Sequence, residues 1–186
     1  MLPPQLQTLI DQIDACEREA ETVVAGLDDD AVNAVRPEAG AWSIAQCLDH
    51  LVKTNEFYLR GMIEAVEAVG ATGKTSFNGL NPTFVGRWFA RQMEPPPPFK
   101  VKTPVQDIVP GPRLRAVELV PAFRNSHRSY RALVAAAAEV DVNKVVVPNP
   151  FQRRLRMRLS TVLMIIPGHD RRHLWQAGNV RRALGR

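Results

Sequence analysis

The segment "IIPGHDRRHLWQ", residues 165–176, holds two of the chain's four histidines, His169 and His173. Residues four apart on a helix share one face, so their imidazoles come near enough to bind one ion. Neutral imidazole is the commonest protein ligand for zinc, and it also suits nickel, iron and copper. A catalytic centre needs about three protein ligands and an open position. The pair is therefore incomplete, and alone it reads equally well as two polar residues on a solvated face.

A third imidazole is available in "CLDHLVKT", where His50 borders the apolar stripe of another predicted helix. Ligands in a helix bundle converge on the core from facing helices. One histidine from that helix and two from the last one make a three-imidazole set. His127 completes the inventory. Its helical phase groups it with Phe123, Tyr130 and Val134, where a lone histidine is more often a hydrogen-bonded core residue than a ligand. "HDRRH" also resembles the HExxH of zinc proteases, with Asp170 in place of the glutamate base. Asp is one methylene shorter, and no histidine follows His173 as a downstream ligand, so that reading falls away. Cys47, three residues before His50, could join a metal set; a small apolar filler is the ordinary role of such a cysteine.

The elements that must position these residues follow from apolar periodicity. Leu6, Leu9, Ile10, Ile13, Cys16, Ala20, Val23, Val24 and Leu27 step by three and four, an amphipathic helix ending near "DDD". The helix carrying His50 starts at Ser43, with Gln46 where a capping box wants Glu or Gln, and runs to about Val69. Between Gly70 and Pro112 the pattern breaks. "NPTFVGRWFARQM" suits a short helix, whereas "EPPPPFKVKTPVQDIVPGP" does not, since each proline removes a donor. This long connection is expected to cover one side of the bundle, with a lid as the sharper alternative. A third long helix runs through "LRAVELVPAFRNSHRSYRALVAAAAEV", kinked or started by Pro121. "DVNKVVVPNP" reads as a connector. The last helix spans about Leu159 to Leu184, with a bend or restart at Pro167–Gly168. The fold class expected is all-α, a four-helix bundle in one domain over residues 1–186, with its long proline-rich connection between the second and third long helices making an overhand crossing.

The 186 residues are 45% apolar and 23% charged, an ordinary soluble balance, and only 6% aromatic, which argues against a base-stacking surface. The net charge of +5 is unevenly spread: −9 over residues 1–70, +6 over 71–150 and +8 over 151–186. Acidic first helices and a basic last segment can face each other within one fold, a reading preferred over nucleic-acid binding. No run suits a membrane span and no signal-peptide pattern opens the chain, so a cytoplasmic location is expected. Two cysteines, Cys16 and Cys47, suit that compartment.

Together, "WSIAQCLDHLVKTNEFYL", "FKVKTP", "VVVPNPF" and "GHDRRHLWQ" resemble the DinB-like superfamily, related to bacillithiol transferases and mycothiol-dependent maleylpyruvate isomerase. The resemblance covers nearly the whole chain. It implies a four-helix bundle that binds a divalent metal through three histidines, here His50, His169 and His173, and it implies a homodimer. Gln176 matches the closing Gln of the family's H-x-x-x-H-x-x-Q, as a partner of a ligand or a packing residue. Asp170 stands where the pattern often has Glu, and Pro167 is a second departure.

The expected activity is that of a metal-dependent hydrolase or thiol S-transferase, with the ion activating a water or a thiol. The metal expected is zinc or nickel, ahead of iron or manganese, and a low-molecular-weight thiol is a candidate second cofactor. The expected partner is a small-molecule substrate, not nucleic acid or a membrane. Arg171 and Arg172, or Arg128 and Arg131, could hold substrate carboxylates; solvated charge or pairing with the acidic helices is their plainer role. The alternative is a non-enzymatic stress-related or ligand-binding bundle whose metal is structural or idle.

Overall fold

The computed structural model describes residues 1–35, 42–70, 76–96, 105–152 and 154–185. Four long helices form the bundle: α1 Pro4–Val24, α3 Ile44–Gly70, α5 Ala116–Ala137 and α6 Leu159–Ala183. Two shorter helices join them, α2 Asp29–Asn33 and α4 Phe84–Arg91, with one 3₁₀ turn at Gln106–Ile108. Residues 97–104, including "FKVKTP", lie outside the described residues.

Each long helix buries the stripe its periodicity announces. α1 turns Leu6, Leu9, Ile13, Cys16, Ala20 and Val23 inward. α3 starts as a capping box: Gln46 N–H donates to Ser43 Oγ at 3.1 Å, and Ser43 N–H donates to Gln46 Oε1 at 3.1 Å. Such reciprocal capping stabilises a helix start by about 1 kcal/mol. It fixes where the helix that carries His50 begins.

α1 and α3 each pack against both α5 and α6, so α1 and α3 stand on one diagonal of the bundle. Leu51 clusters with Phe123, and Tyr58 with Tyr130, so α3 and α5 run parallel. The bonds of Gln12 to Arg171 and of Arg181 to the Thr22 carbonyl make α1 and α6 parallel too. A parallel neighbour can be reached only by travelling back along the 27-residue α3, a path of about 40 Å. That return is the physical reason for the long connection, and it makes the overhand crossing. The described parts of the connection cover the bundle, as the plainer expectation had it. α4 lies close on α6 because two glycines leave room: a Cβ at Gly86 would overlap Thr161 Oγ1, and one at Gly168 would sit 3.1 Å from Glu94 Oε1.

One local expectation is corrected and two open alternatives are narrowed. "DVNKVVVPNP" is more than a connector: Val146–Pro148 (β1) pairs antiparallel with Arg156–Arg158 (β2), with Val147 opposite Met157. β-branched valines favour the extended backbone, and Asn149 Oδ1 turns the chain by accepting from the Phe151 and Gln152 amides at 2.9 Å. α5 starts at Ala116 and runs through Pro121. α6 likewise continues across Pro167–Gly168 without a restart. Pro167 cannot donate to the Leu163 carbonyl four residues back, but the buried Tyr130 hydroxyl donates to that oxygen at 2.6 Å instead.

The acidic first helices do meet the basic later ones. Arg131 bridges Asp14 and Glu17, Arg124 pairs with Glu21, and Arg113 pairs with Asp30. None of the described helices is long and apolar enough to cross a membrane.

Candidate metal centre

The apolar interior divides into two clusters. One is built around Leu6, Ile13, Met62, Tyr130 and Leu163, the other around Cys47, Leu51, Phe123 and Leu174. Polar side chains occupy the level between them, and they sort into two groups.

The first group is the three imidazoles. α3 supplies His50, 4% exposed, and α6 supplies His169 and His173, both partly buried. One ring nitrogen from each lies within 4.8 Å of the others. Ring centroids are 4.7 Å apart for His50 and His173, 5.2 Å for His50 and His169, and 4.6 Å for His169 and His173. Neighbours orient two of the rings. His50 Nδ1–H donates to the Ile108 carbonyl at 2.8 Å, so the 3₁₀ turn of the long connection holds it. His173 Nδ1–H donates to Gln176 Oε1 at 3.0 Å. Both bonds leave Nε2 as the lone-pair nitrogen. Thr54 Oγ1 stands 3.4 Å from His50 Nε2. His169 Nδ1 is buried without a hydrogen-bond partner among the described residues. A buried ring nitrogen with no partner is costly unless something outside the chain satisfies it, and a cation would.

Burial also keeps these rings neutral. It pushes His173 down from 6.5 to about 3, with the nearby His50 adding to the effect. Burial lowers His50, and burial followed by the His173 and His50 rings lowers His169 well below the ordinary range. Neutral imidazoles clustered in this way are the protonation state that metal binding needs. Trp42 covers the group, with its ring 4.6 Å from His50 and 5.5 Å from His173.

The second group centres on His127, fully buried, whose two nitrogens are both engaged. Nε2 is 3.0 Å from Asp170 Oδ2 and Nδ1 is 3.1 Å from Glu17 Oε1. Asp170 also accepts from Asn55 Nδ2 at 3.2 Å. The acid that follows His169 in the chain therefore points away from the three imidazoles and into the core, as a partner of His127. That pairing, and the roles of Asn55, Glu17 and the Ile108 carbonyl, had no signal in local spacing. Cys47 is buried among apolar residues, where burial raises its thiol pKa, and it stays a filler. Arg171 pairs with Glu94, Arg172 donates to the Gln92 carbonyl at 3.0 Å, and Arg131 serves the acidic α1.

Fold and site together define a four-helix bundle with a three-histidine group able to hold a metal ion. The chain belongs to the DinB superfamily, whose family model matches residues 12–177. Searches of the curated proteins and of the solved structures each return no significant match.

Proposed function

We propose that His50, His169 and His173 hold one divalent metal ion, zinc or nickel ahead of iron or manganese, and that the protein is a metal-dependent enzyme of the hydrolase or thiol S-transferase kind. The observation that carries this reading is the convergence of three imidazoles, with one ring nitrogen from each within 4.8 Å of the others, and with His169 Nδ1 buried without a partner among the described residues. When bound, the ion supplies Lewis acidity that favours deprotonation of a water or a low-molecular-weight thiol near neutral pH. The Ile108 carbonyl and Gln176 orient two of the ligands, and Trp42 shields the group from solvent. Arg172 is close enough to His169 and His173 to depress their proton affinity, so it adds positive field for an anionic small-molecule substrate. A cytoplasmic homodimer belongs to the same reading, supported by family membership and by two free, buried cysteines.

Elemental analysis of the protein as purified is expected to find about one divalent ion per chain. A screen of thiols against electrophiles is then expected to give turnover that a chelator abolishes. Protein from metal-replete cells that carries no ion would remove the reading.

One observation favours the alternative of a structural or idle ion in a non-enzymatic bundle. The Trp42 ring packs 4.6 Å from His50 and 5.5 Å from His173, the kind of cover a closed, structural ion would have. Cobalt substitution separates the two cases. An absorption band that shifts on adding a thiol marks an open position; an unchanged spectrum marks a closed, structural ion.

A further inference from the structure

The cavity of about 410 Å³ between α1, α4 and α6 has a size suited to a small organic ligand. It lies on the far side of α6 from the metal centre. At about 100° per residue, Met164 and Arg171 project nearly opposite to His169 and His173. Its floor is apolar, made by Leu9, Leu80, Ala90 and Met164.

The polar groups on its walls are unbalanced. The carboxylate and amide oxygens there are each already engaged, while the Thr8 hydroxyl, which donates to the Pro4 carbonyl, keeps its lone pairs. Glu94, the cavity's one carboxylate, receives Arg171 at both oxygens, Nε at 2.9 Å and Nη2 at 2.5 Å. Gln12 Oε1 accepts from Arg171 Nη1 at 3.2 Å, and Gln5 Oε1 accepts from the Leu80 amide at 2.7 Å. Fixing each amide by its oxygen leaves both Nε2 groups as donors without partners among the described residues. The charges are equally one-sided. Arg87 makes one long bond, 3.4 Å to the Pro82 carbonyl, and Arg91 makes none among the described residues. Neither forms an ion pair among the described residues, whereas the third arginine of the lining, Arg171, pairs with Glu94.

We infer that this cavity is a second binding site, separate from the metal centre, for a small organic anion: a carboxylate or phosphate head met by Arg87, Arg91 and the free amides, and an apolar body on the floor. A cation would meet only a neutralised carboxylate. A polyol would find two guanidinium groups and two amide donors against one uncommitted acceptor, the Thr8 hydroxyl, for its own hydroxyl protons. An acceptor-only head is what the walls can satisfy, and guanidinium matches both oxyanions.

Calorimetric titration of the purified protein with octanoate, octyl phosphate and octanol tests this. Both anions are expected to bind with submillimolar affinity, and octanol at least about tenfold more weakly. The tighter of the two anions identifies the head group. Arg87→Gln with Arg91→Gln, exposed positions without ion pairs, is expected to weaken both anions by about tenfold or more and to leave octanol unchanged. Thr8→Phe, at a solvent-facing lining position, is expected to obstruct the cavity and weaken all three ligands with the melting temperature preserved. Octanol binding as tightly as octanoate, anion affinity unchanged in the double variant, or no anion binding up to about 10 mM would each overturn the inference.

Discussion

Two neighbours on α6, His169 and Asp170, belong to groups with opposite logic. His169 joins two other imidazoles, and its buried Nδ1 has no partner among the described residues. Asp170 turns into the core and holds His127, whose nitrogens are both engaged by carboxylates. Burial is shared by the two groups; what differs is the supply of carboxylates. Imidazoles given a carbonyl, a glutamine, one long threonine contact and each other, but no carboxylate, keep lone pairs for a cation. An imidazole between two acids has none to spare, and it ties α5 to α1 and α6.

Removing one imidazole from each group puts that contrast at most risk. His169→Ala is expected to cut bound metal to below about a tenth of an ion per chain, because two ligands hold a divalent ion poorly. His127→Gln is expected to keep the wild-type metal content. Elemental analysis reads both, and equal loss in the two variants would merge the groups into one.

Asp170→Ala acts on the other side of the comparison. It strips His127 and Asn55 of a buried partner, and urea unfolding is expected to register a loss of about 3 kcal/mol. A loss below about 1 kcal/mol would mean that the His127 network does not tie the bundle together.

Acid should distinguish the metal-free protein. His173 is held down from 6.5 to about 3 by burial, and His50 and His169 are lowered by burial as well. Below about pH 6.5 the unfolded chain takes up protons at these rings and the folded chain does not. Stability therefore falls as pH drops from about 6.5 towards 3, by roughly 1 kcal/mol per pH unit for each ring fully depressed across that range. Above about pH 7 the effect is absent. Chemical denaturation of chelator-treated protein with no change in stability between about pH 7 and 5 would contradict the neutral-imidazole cluster.

Gln176→Ala removes only the acceptor that orients His173. Metal affinity is expected to drop about tenfold, by competition with a chromophoric chelator, and the melting temperature to stay near that of the wild type. Unchanged affinity would reduce Gln176 to a packing residue.

Much of this was legible locally. The apolar steps of the four long helices fixed their inward faces, and the Ser43–Gln46 pair announced where α3 begins. Spacing put His169 and His173 on one face, and the border position of His50 on α3 made it the third candidate. The hairpin at Val146–Pro148 was hidden because a three-residue strand that ends on a proline carries too little alternation to mark itself. Of the two outcomes expected at Pro167, a bend or a restart, the restart does not occur. Local rules break a helix there, and the remedy is a tyrosine hydroxyl from α5, more than thirty residues away.

By itself the sequence determined the helices, their buried stripes and the three imidazoles that could share an ion, because each depends on residue type and a period of 3.6. Only the tertiary structure decided which polar groups lack partners. It sent Asp170 to His127 in place of the three-imidazole group, left His169 Nδ1 unsatisfied among the described residues, and tied the carboxylate of the α1–α4–α6 cavity to Arg171. Hydrogen-bond satisfaction is a property of three-dimensional neighbours, and no spacing along the chain encodes it.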